Sequence, residues 1–286
     1  MSNIVISGAD GFIGKHLALK LSKSKKYKLV KMGKRLGDIS QKKTWEKLPK
    51  AKILIHLAAK TFVPDSWNNS EEFFETNVLG TLMALEYCRK NKAKIIFLSS
   101  YLYGNADKLP TSEKGKIKID NPYSLTKKTA EDFCQLYSRK YGISVIILRP
   151  SNAYGPKQKE FFLVPDMLNK LKKKKIIVNN IHIKRDLIYI SDLVDAIVRS
   201  LSLKSKFEII NIGSGKSYGI KKIILTLQKI CRVYYPIKNR GLKRPNEILS
   251  TRLNINKAKK ILKWKPLYSL ENGLKSVIYN KTMFNK

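Results

Sequence analysis

The chain has 286 residues, which is enough for one large domain or for a domain with a smaller lobe. Lysine and arginine total 58 against 21 acidic residues, so the formal net charge is +37. This excess is mostly lysine and is spread along the chain. The spaced arginine forks and aromatic platforms of sequence-specific nucleic-acid readers are absent. We therefore expect no specific nucleic-acid partner, and a positive field that attracts anionic substrates.

The cysteines, Cys88, Cys134 and Cys231, match no metal-binding spacing, and their odd number argues against a disulfide framework. Both features fit a reducing compartment, and we expect a cytoplasmic protein. Residues 3–7 run directly into a glycine turn, unlike a signal peptide. No apolar run reaches the ~18 residues of a membrane span, so no membrane partner is expected.

Short β-branched runs alternate with longer amphipathic stretches along the chain. The predicted strands are residues 4–6, 29–30, 53–55, 95–98, 145–148 and 208–212, and the predicted helices include 73–90 and 124–141. Strands that are apolar on both faces suit a parallel sheet covered on both sides. Strand–helix–strand alternation then predicts an α/β fold: a doubly wound, Rossmann-like parallel sheet with a smaller C-terminal lobe.

The alternation weakens after residue 148, and this sets the expected domain boundaries. We expect a dinucleotide-binding domain in residues 1–154, to which a further strand returns near 181–213. Residues 155–180 and 214–286 are expected to form a substrate-binding lobe over the strand ends.

Three glycines, Gly8, Gly11 and Gly14, follow the first predicted strand and open a helix. Glycines at this point allow a tight turn and a close approach of the backbone to a pyrophosphate at the helix N-terminus. The spacing is G-x-x-G-x-x-G, which differs from the common G-x-G-x-x-G fingerprint. The strand before it and the helix after it favour dinucleotide binding.

The second strand is expected to end near Met32, where a dinucleotide without a 2′-phosphate usually meets an acid. The chain instead has Gly33-Lys34-Arg35, and Asp38 comes a few residues late. Two cations favour NADP(H), with NAD(H) as the alternative.

Tyr123 and Lys127 are spaced as Y-x-x-x-K, which places both on one face of a helix. A neighbouring ammonium favours the phenolate, so we expect a lowered pKa for Tyr123 and a role in proton transfer. Ser99 and Ser100 end the fourth strand, at the sheet edge where such folds bind ligands. Either hydroxyl could hydrogen-bond a reacting oxygen.

Taken together, these motifs resemble the extended short-chain dehydrogenase/reductase family, and most closely its nucleotide-sugar epimerase, dehydratase and ketoreductase branch. The residues that carry the resemblance are Gly8-x-x-Gly11-x-x-Gly14, His56-Leu57-Ala58-Ala59, Asn77-Val78-x-Gly80-Thr81, Ser99-Ser100-x-x-Tyr103-Gly104, Tyr123-x-x-x-Lys127, Arg149-Pro150-x-Asn152-x-Tyr154-Gly155-Pro156, Arg185-Asp186, Asp192, Asn211-Ile212-Gly213-x-Gly215, Arg244-Pro245-x-x-Glu247 and Trp264-x-Pro266.

The resemblance implies that Tyr123 is the acid/base, that Lys127 holds the nicotinamide ribose, and that Ser99 is the catalytic serine. The residues it implies for cofactor binding are Gly8, Gly11, Phe12, Ile13, Gly14, Lys34, Arg35, Asp38, Leu57, Ala58, Ala59, Asn77 and Lys127. Those it implies for the nucleotide-sugar substrate are Ser100, Asn152, Arg185, Arg244 and Glu247. No metal is implied.

Departures from the branch narrow the expected reaction. Dehydratases carry Asp and Glu after the catalytic residue, where this chain has Ser100 and Tyr101. We therefore expect an NADP-dependent reductase of a nucleotide-linked 4-keto-6-deoxy sugar. The alternative is an NAD-dependent UDP-hexose 4-epimerase. A cofactor-sensing regulator and a nucleic-acid binder are more distant readings. The resemblance also implies a possible homodimer.

Overall fold

The computed structural model describes residues 2–24, 26–242 and 247–279. The strands are β1 (Ser2–Ser7), β2 (Tyr27–Met32), β3 (Ile53–His56), β4 (Lys94–Leu98), β5 (Val145–Pro150), β6 (Asn152–Tyr154), β7 (Ile176–Val178), β8 (Lys184–Arg185), β9 (Leu187–Tyr189), β10 (Phe207–Ile212), β11 (Tyr218–Gly219) and β12 (Ile237–Asn239). The α-helices are α1 (Phe12–Ser22), α2 (Lys42–Glu46), α3 (Val63–Asn68), α4 (Ser70–Phe74), α5 (Gly80–Asn91), α6 (Pro122–Tyr141), α7 (Leu163–Lys172), α8 (Ile190–Ser200), α9 (Ile220–Cys231), α10 (Asn256–Ile261) and α11 (Leu270–Tyr279).

The central sheet is parallel, with strand order β10-β5-β4-β3-β1-β2. The chain moves outward from β1 in one direction to β2 and in the other to β3 and beyond. Ligands of doubly wound sheets bind at the carboxyl ends of the strands beside such a switch point. The predicted fold class is confirmed, and every predicted strand lies in this sheet.

Helices cover both faces of the sheet, which explains why its inner strands are mainly apolar, whereas the edge strand β2 carries exposed lysines. Ile4, Val5 and Ile6 are consecutive in β1 and are all 0% exposed. Ile4 and Ile6 belong to one apolar cluster and Val5 to another, because alternate side chains point to opposite faces. The first cluster continues into the C-terminal elements as far as Trp264 and Val277.

The helix predicted for residues 73–90 is observed as a longer element with an interruption. Helix α4 leads into a π-helical segment, Glu75–Leu79, and then into α5. Such bulges often occur at functional sites, and this one carries Asn77. Among the described residues, no helix combines the length and the apolar character needed to cross a membrane.

Candidate active site

The glycine turn between β1 and α1 has the geometry of a phosphate cradle. Gly8 has φ 71°, a left-handed conformation that favours glycine. A Cβ on Gly8 would lie 2.7 Å from the Ala58 nitrogen, and one on Gly14 would overlap the Gly8 carbonyl. Gly11 caps α1 without a side-chain hydrogen bond, and no acid stands in the first helical turn. The turn therefore fits a dinucleotide pyrophosphate.

The glycine turn packs against the end of β3, whose last residue is the buried His56. His56 Nδ1 lies 2.6 Å from Ser7 Oγ, and His56 Nε2 lies 3.2 Å from Thr81 Oγ1. Burial, together with the positive charge of Lys127, lowers the pKa of His56 to about 3. His56 is therefore a neutral structural group that holds Leu57 and Ala58 beside Gly8. Ala59 follows them at the same sheet edge, and Phe12 and Ile13 pack partly buried at the start of α1.

The loop after β2 carries the residues that were expected to choose between cofactors. Lys34 and Arg35 are exposed in a 3₁₀ turn that begins after Gly33. The carboxylate of Asp38 accepts a hydrogen bond from the Ser40 nitrogen at 2.8 Å, so it is used within its own turn.

The structure adds an acid that the sequence-based prediction did not place beside this loop. The sequence has two cations and no acid at Gly33-Lys34-Arg35. The structure brings Asp10, from the glycine turn, to that point: a Cβ on Gly33 would overlap the Asp10 carboxylate. Sequence reasoning missed Asp10 because it lies far from Gly33 along the chain.

Tyr123 stands in the first turn of α6, where a cap fixes the helix start. The Asn121 side chain accepts from the Ser124 nitrogen at 2.8 Å, and Ser124 Oγ accepts from the Asn121 nitrogen at 3.3 Å. This reciprocal capping box, with Pro122 at the first helical position, is a strong helix-start signal.

The Tyr123 phenol differs from expectation in its acidity. Burial raises its pKa, and a hydrogen bond with the Ser100 side chain opposes that rise. We expected a lowered pKa from the Lys127 ammonium, but desolvation dominates in the structure. Tyr123 therefore keeps its proton at neutral pH.

Lys127 is buried one helical turn further along α6. Its Nζ donates a hydrogen bond to the Leu98 carbonyl at 2.7 Å and lies 4.3 Å from the centroid of the Phe97 ring. Burial lowers its pKa to about 8. The ammonium is thus anchored at the carboxyl end of β4.

Ser99 lies between the residues that Lys127 and Tyr123 contact, namely Leu98 and Ser100. It is 5% exposed, and its Oγ has no hydrogen-bond partner within the described ranges. A buried hydroxyl without a protein partner is unusual, and Ser99 Oγ is free to hydrogen-bond a ligand or a water molecule. The three residues expected to be catalytic are therefore neighbours at one strand end.

The side chain of Asn77, a residue that the resemblance implies for cofactor binding, is hydrogen-bonded within the protein. Its Oδ1 accepts from the Lys60 nitrogen at 2.9 Å, and its Nδ2 donates to the Lys60 carbonyl at 3.1 Å and to Thr126 Oγ1 at 3.0 Å. The side chain is buried, with both ends of its amide engaged. Asn77 therefore ties the loop after Ala59 to helix α6, and we describe it as a positioning residue.

A buried ion pair fixes α6 to the sheet. Arg149 Nε and one terminal nitrogen donate to Glu131 at 2.9 and 2.5 Å, and both side chains are 4% exposed. The other terminal nitrogen donates to the Tyr103 hydroxyl, which donates to Asn211 Oδ1 at 2.7 Å. This network joins α6, β5 and β10 close to the catalytic candidates.

The residues expected at the substrate are only partly brought together. Asn152 is exposed in β6, next to the end of β5. Arg185 donates to the Ile248 carbonyl at 2.7 Å, and Glu247 Oε2 accepts from Asn180 at 3.0 Å. Because Glu247 and Ile248 are consecutive, the same chain segment makes both hydrogen bonds. Arg244 lies outside the described residues.

Asp186 organises this region, and the sequence indicated its presence but not its role. It is 0% exposed, and its carboxylate accepts from Ser151 Oγ, from the backbone and hydroxyl of Ser214, and from the nitrogens of Gly215 and Leu253. Burial raises its pKa, and these donors oppose the rise. Asp186 thereby joins the ends of β5 and β10 to the C-terminal segments.

The fold and the site define a nicotinamide-dinucleotide enzyme of the doubly wound class. The model of the NAD dependent epimerase/dehydratase family matches residues 4–213, and the chain belongs to this family. It is 32% identical to the "Putative UDP-glucose 4-epimerase" of Methanocaldococcus jannaschii, over 96% of this chain and 97% of the relative. It is 28% identical to the GDP-6-deoxy-D-mannose reductase of Pseudomonas aeruginosa, over 96% and 95%.

Solved structures agree with this assignment. The structure of RMD from Pseudomonas aeruginosa complexed with NADPH has a TM-score of 0.90 at 25% identity, with 98% of each chain covered. The UDP-glucuronic acid 4-epimerase from Bacillus cereus, in complex with UDP-glucuronic acid and NAD, has a TM-score of 0.90 at 28% identity, with 99% of this chain and 100% of that chain covered.

Proposed function

We propose that the chain is an NADP(H)-dependent reductase of a nucleotide-linked 4-keto-6-deoxy sugar. One observation supports hydride transfer at a sugar carbon: the Ser99 hydroxyl has no protein partner within the described residues. Ser99 lies between Leu98, which Lys127 contacts, and Ser100, which Tyr123 contacts. A sugar oxygen bound there would satisfy that hydroxyl and lie within reach of the phenol.

The proposed chemistry divides between the cofactor and the chain. When bound, a reduced nicotinamide supplies hydride to the keto carbon. Tyr123 transfers its phenolic proton to the keto oxygen, and Ser99 hydrogen-bonds that oxygen as charge develops on it. The raised pKa of Tyr123 supports reduction, because the phenol must begin the step protonated. The Lys127 ammonium stabilises the phenolate that remains.

Two features support the phosphorylated cofactor. Lys34 and Arg35 are exposed directly after β2, at the place where an acid would select NAD. The structure of RMD from Pseudomonas aeruginosa, which is similar over nearly the whole chain, is a complex with NADPH. Gly8, Gly11 and Gly14 would hold the pyrophosphate that both cofactors share.

The proposed substrate carries a nucleotide diphosphate. Arg185 and Glu247 belong to one hydrogen-bonded region beside β8, and Asn152 is exposed near the end of β5. We assign these residues to the nucleotide part of the substrate, in keeping with the strongly positive charge of the chain. The division into a dinucleotide-binding domain and a substrate-binding lobe is part of this proposal.

A second candidate, an NAD-dependent UDP-hexose 4-epimerase, is favoured by the archaeal relative at 32% identity and by the Asp10 carboxylate beside Gly33.

We also propose a homodimer, because large apolar side chains are exposed on α3, α4 and the start of α6: Trp67 is 60%, Phe74 48% and Leu125 54% exposed. Sedimentation velocity would measure the mass.

The deciding experiment offers the enzyme NADPH with a panel of nucleotide-linked 4-keto-6-deoxy sugars and, separately, UDP-hexoses. We expect NADPH absorbance to fall in proportion to the keto sugar consumed. Interconversion of UDP-hexoses without net cofactor use would move the assignment to the epimerase. Tyr123→Phe, assayed in parallel, controls for contaminating reductases.

A further inference from the structure

We propose that Asp10 is a second determinant of cofactor specificity, whose carboxylate opposes Lys34 and Arg35 in the choice between NADPH and NADH. The proposal rests on the proposed dinucleotide cofactor and concerns its adenosine end. Asp10 lies within the glycine turn, at a position where the motif G-x-x-G-x-x-G does not specify the residue.

The position of Asp10 follows from two chain segments that meet at the carboxyl ends of β1 and β2. Gly8 and Ala9 nitrogens both lie within hydrogen-bond distance of the Met32 carbonyl, at 2.9 and 3.3 Å. These contacts place the glycine turn against the end of β2. The Asp10 carboxylate then occupies the space into which a Cβ on Gly33 would project.

This space is where doubly wound enzymes that use NAD present an acid to the adenosine ribose. In this chain residue 33 has no side chain, and the carboxylate comes from Asp10 instead. Asp10 is exposed, and within the described residues its carboxylate has neither a hydrogen-bond nor an ion-pair partner. It is therefore available to accept from a ribose hydroxyl and to repel a 2′-phosphate.

The cations on the neighbouring turn act in the opposite sense. Lys34 and Arg35 attract a 2′-phosphate, and both are exposed in the turn that starts at Gly33. Two positive charges against one negative charge still favour NADPH, but by less than the cations alone would give. Removal of the Asp10 charge should therefore widen the preference, whereas removal of Arg35 should narrow it.

The test isolates the adenosine end by measuring dissociation constants for adenosine 2′,5′-bisphosphate and for AMP by calorimetry. We expect Asp10→Asn, which keeps the shape and one acceptor, to raise the affinity ratio of bisphosphate to AMP roughly tenfold, the scale of one charge-assisted contact. Asp10→Ala should raise the ratio in the same direction. Glu46→Gln, on the exposed side of α2, removes the same charge and should leave the ratio unchanged.

An unchanged ratio in both Asp10 variants would overturn the proposal, and so would an equal rise in Glu46→Gln, which would reveal a net-charge effect. A rise in Asp38→Asn but not in Asp10→Asn would assign the role to Asp38. The assay contains no sugar, so absence of reductase activity leaves its result intact. If the unmodified protein bound neither adenosine ligand, the proposed dinucleotide cofactor and the proposed role of Asp10 would both be contradicted.

Discussion

Lys127 Nζ donates a hydrogen bond to the Leu98 carbonyl at 2.7 Å, which ties the second turn of helix α6 to the last residue of the central strand β4. Because Tyr123 contacts Ser100 from the preceding helical turn, Ser99 is enclosed between two fixed points. The catalytic candidates are thus positioned by side-chain contacts within the protein itself. Such preorganisation is what electrostatic stabilisation of a reaction requires.

Ser99→Ala should lower activity without lowering stability. The Ser99 hydroxyl has no partner to lose, so the free energy of unfolding should stay the same or rise. Its loss as a donor to the sugar oxygen should lower kcat roughly tenfold.

Ser138→Ala is the matched control, since this buried hydroxyl donates to the Lys206 carbonyl at 3.0 Å. It should lower stability by about 1 kcal/mol and keep kcat. Urea unfolding and steady-state assays separate the two, and an unaltered kcat in Ser99→Ala would contradict the proposed role.

Tyr123→Phe should lower kcat by ~10²–10⁴-fold, the usual scale for a lost general acid or base. Cofactor affinity, followed by NADPH fluorescence, should be nearly unchanged because only the hydroxyl is removed. Tyr101→Phe is the control variant. The Tyr101 hydroxyl donates to the Gly104 carbonyl at 3.1 Å and has no role in the proposed proton transfer, so this variant should keep its kcat. Near-normal turnover in Tyr123→Phe would rule out the mechanism.

The activity should fall above pH about 8 because the folded enzyme holds the pKa of Lys127 at about 8. Below that pH the ammonium is present, and above it the amine is neutral and no longer stabilises phenolate. Tyr123 adds no loss in this range, since its pKa is raised. Profiles of kcat/KM against pH should show this alkaline limb in the native enzyme. Lys127→Arg, which stays charged, should show lower activity with the limb absent; the same limb in that variant would assign it to another group.

Glu131→Gln should destabilise the fold strongly. The change leaves the Arg149 guanidinium buried without its counter-charge, which costs about 3–5 kcal/mol. Asp132→Asn, one residue along α6, breaks the more exposed Lys128–Asp132 pair and should cost less than about 1 kcal/mol. Chemical denaturation of both variants measures the difference, and equal losses would contradict the assigned importance of the buried pair.

Arg35→Ala should remove most of the preference for NADPH over NADH. A charge-assisted hydrogen bond to phosphate contributes roughly 1.5–3 kcal/mol, which corresponds to ~10–100-fold in affinity. Lys28→Ala removes the same charge from the opposite end of β2 and should leave the ratio of dissociation constants unchanged. The epimerase would be favoured if the purified protein carried tightly bound NAD and if Arg35→Ala left cofactor binding unchanged.

Local patterns in the sequence determined much of this molecule. Runs of apolar residues on both faces predicted the parallel strands, because period and burial are properties of neighbouring residues. The glycines after β1 predicted the turn, since only glycine adopts φ 71° readily at Gly8. The i, i+4 spacing of Tyr123 and Lys127 predicted their common helix face, and the motif order predicted the family.

Tertiary structure decided whatever depends on residues that are distant in the chain. The Asp10 carboxylate reaches Gly33 only because β1 and β2 are adjacent in the sheet. The pKa of Tyr123 rises rather than falls because burial desolvates the phenol, an effect that no spacing in the sequence reveals. The five donors around Asp186 come from segments that only the packed chain brings together, since packing and not periodicity sets which side chains meet.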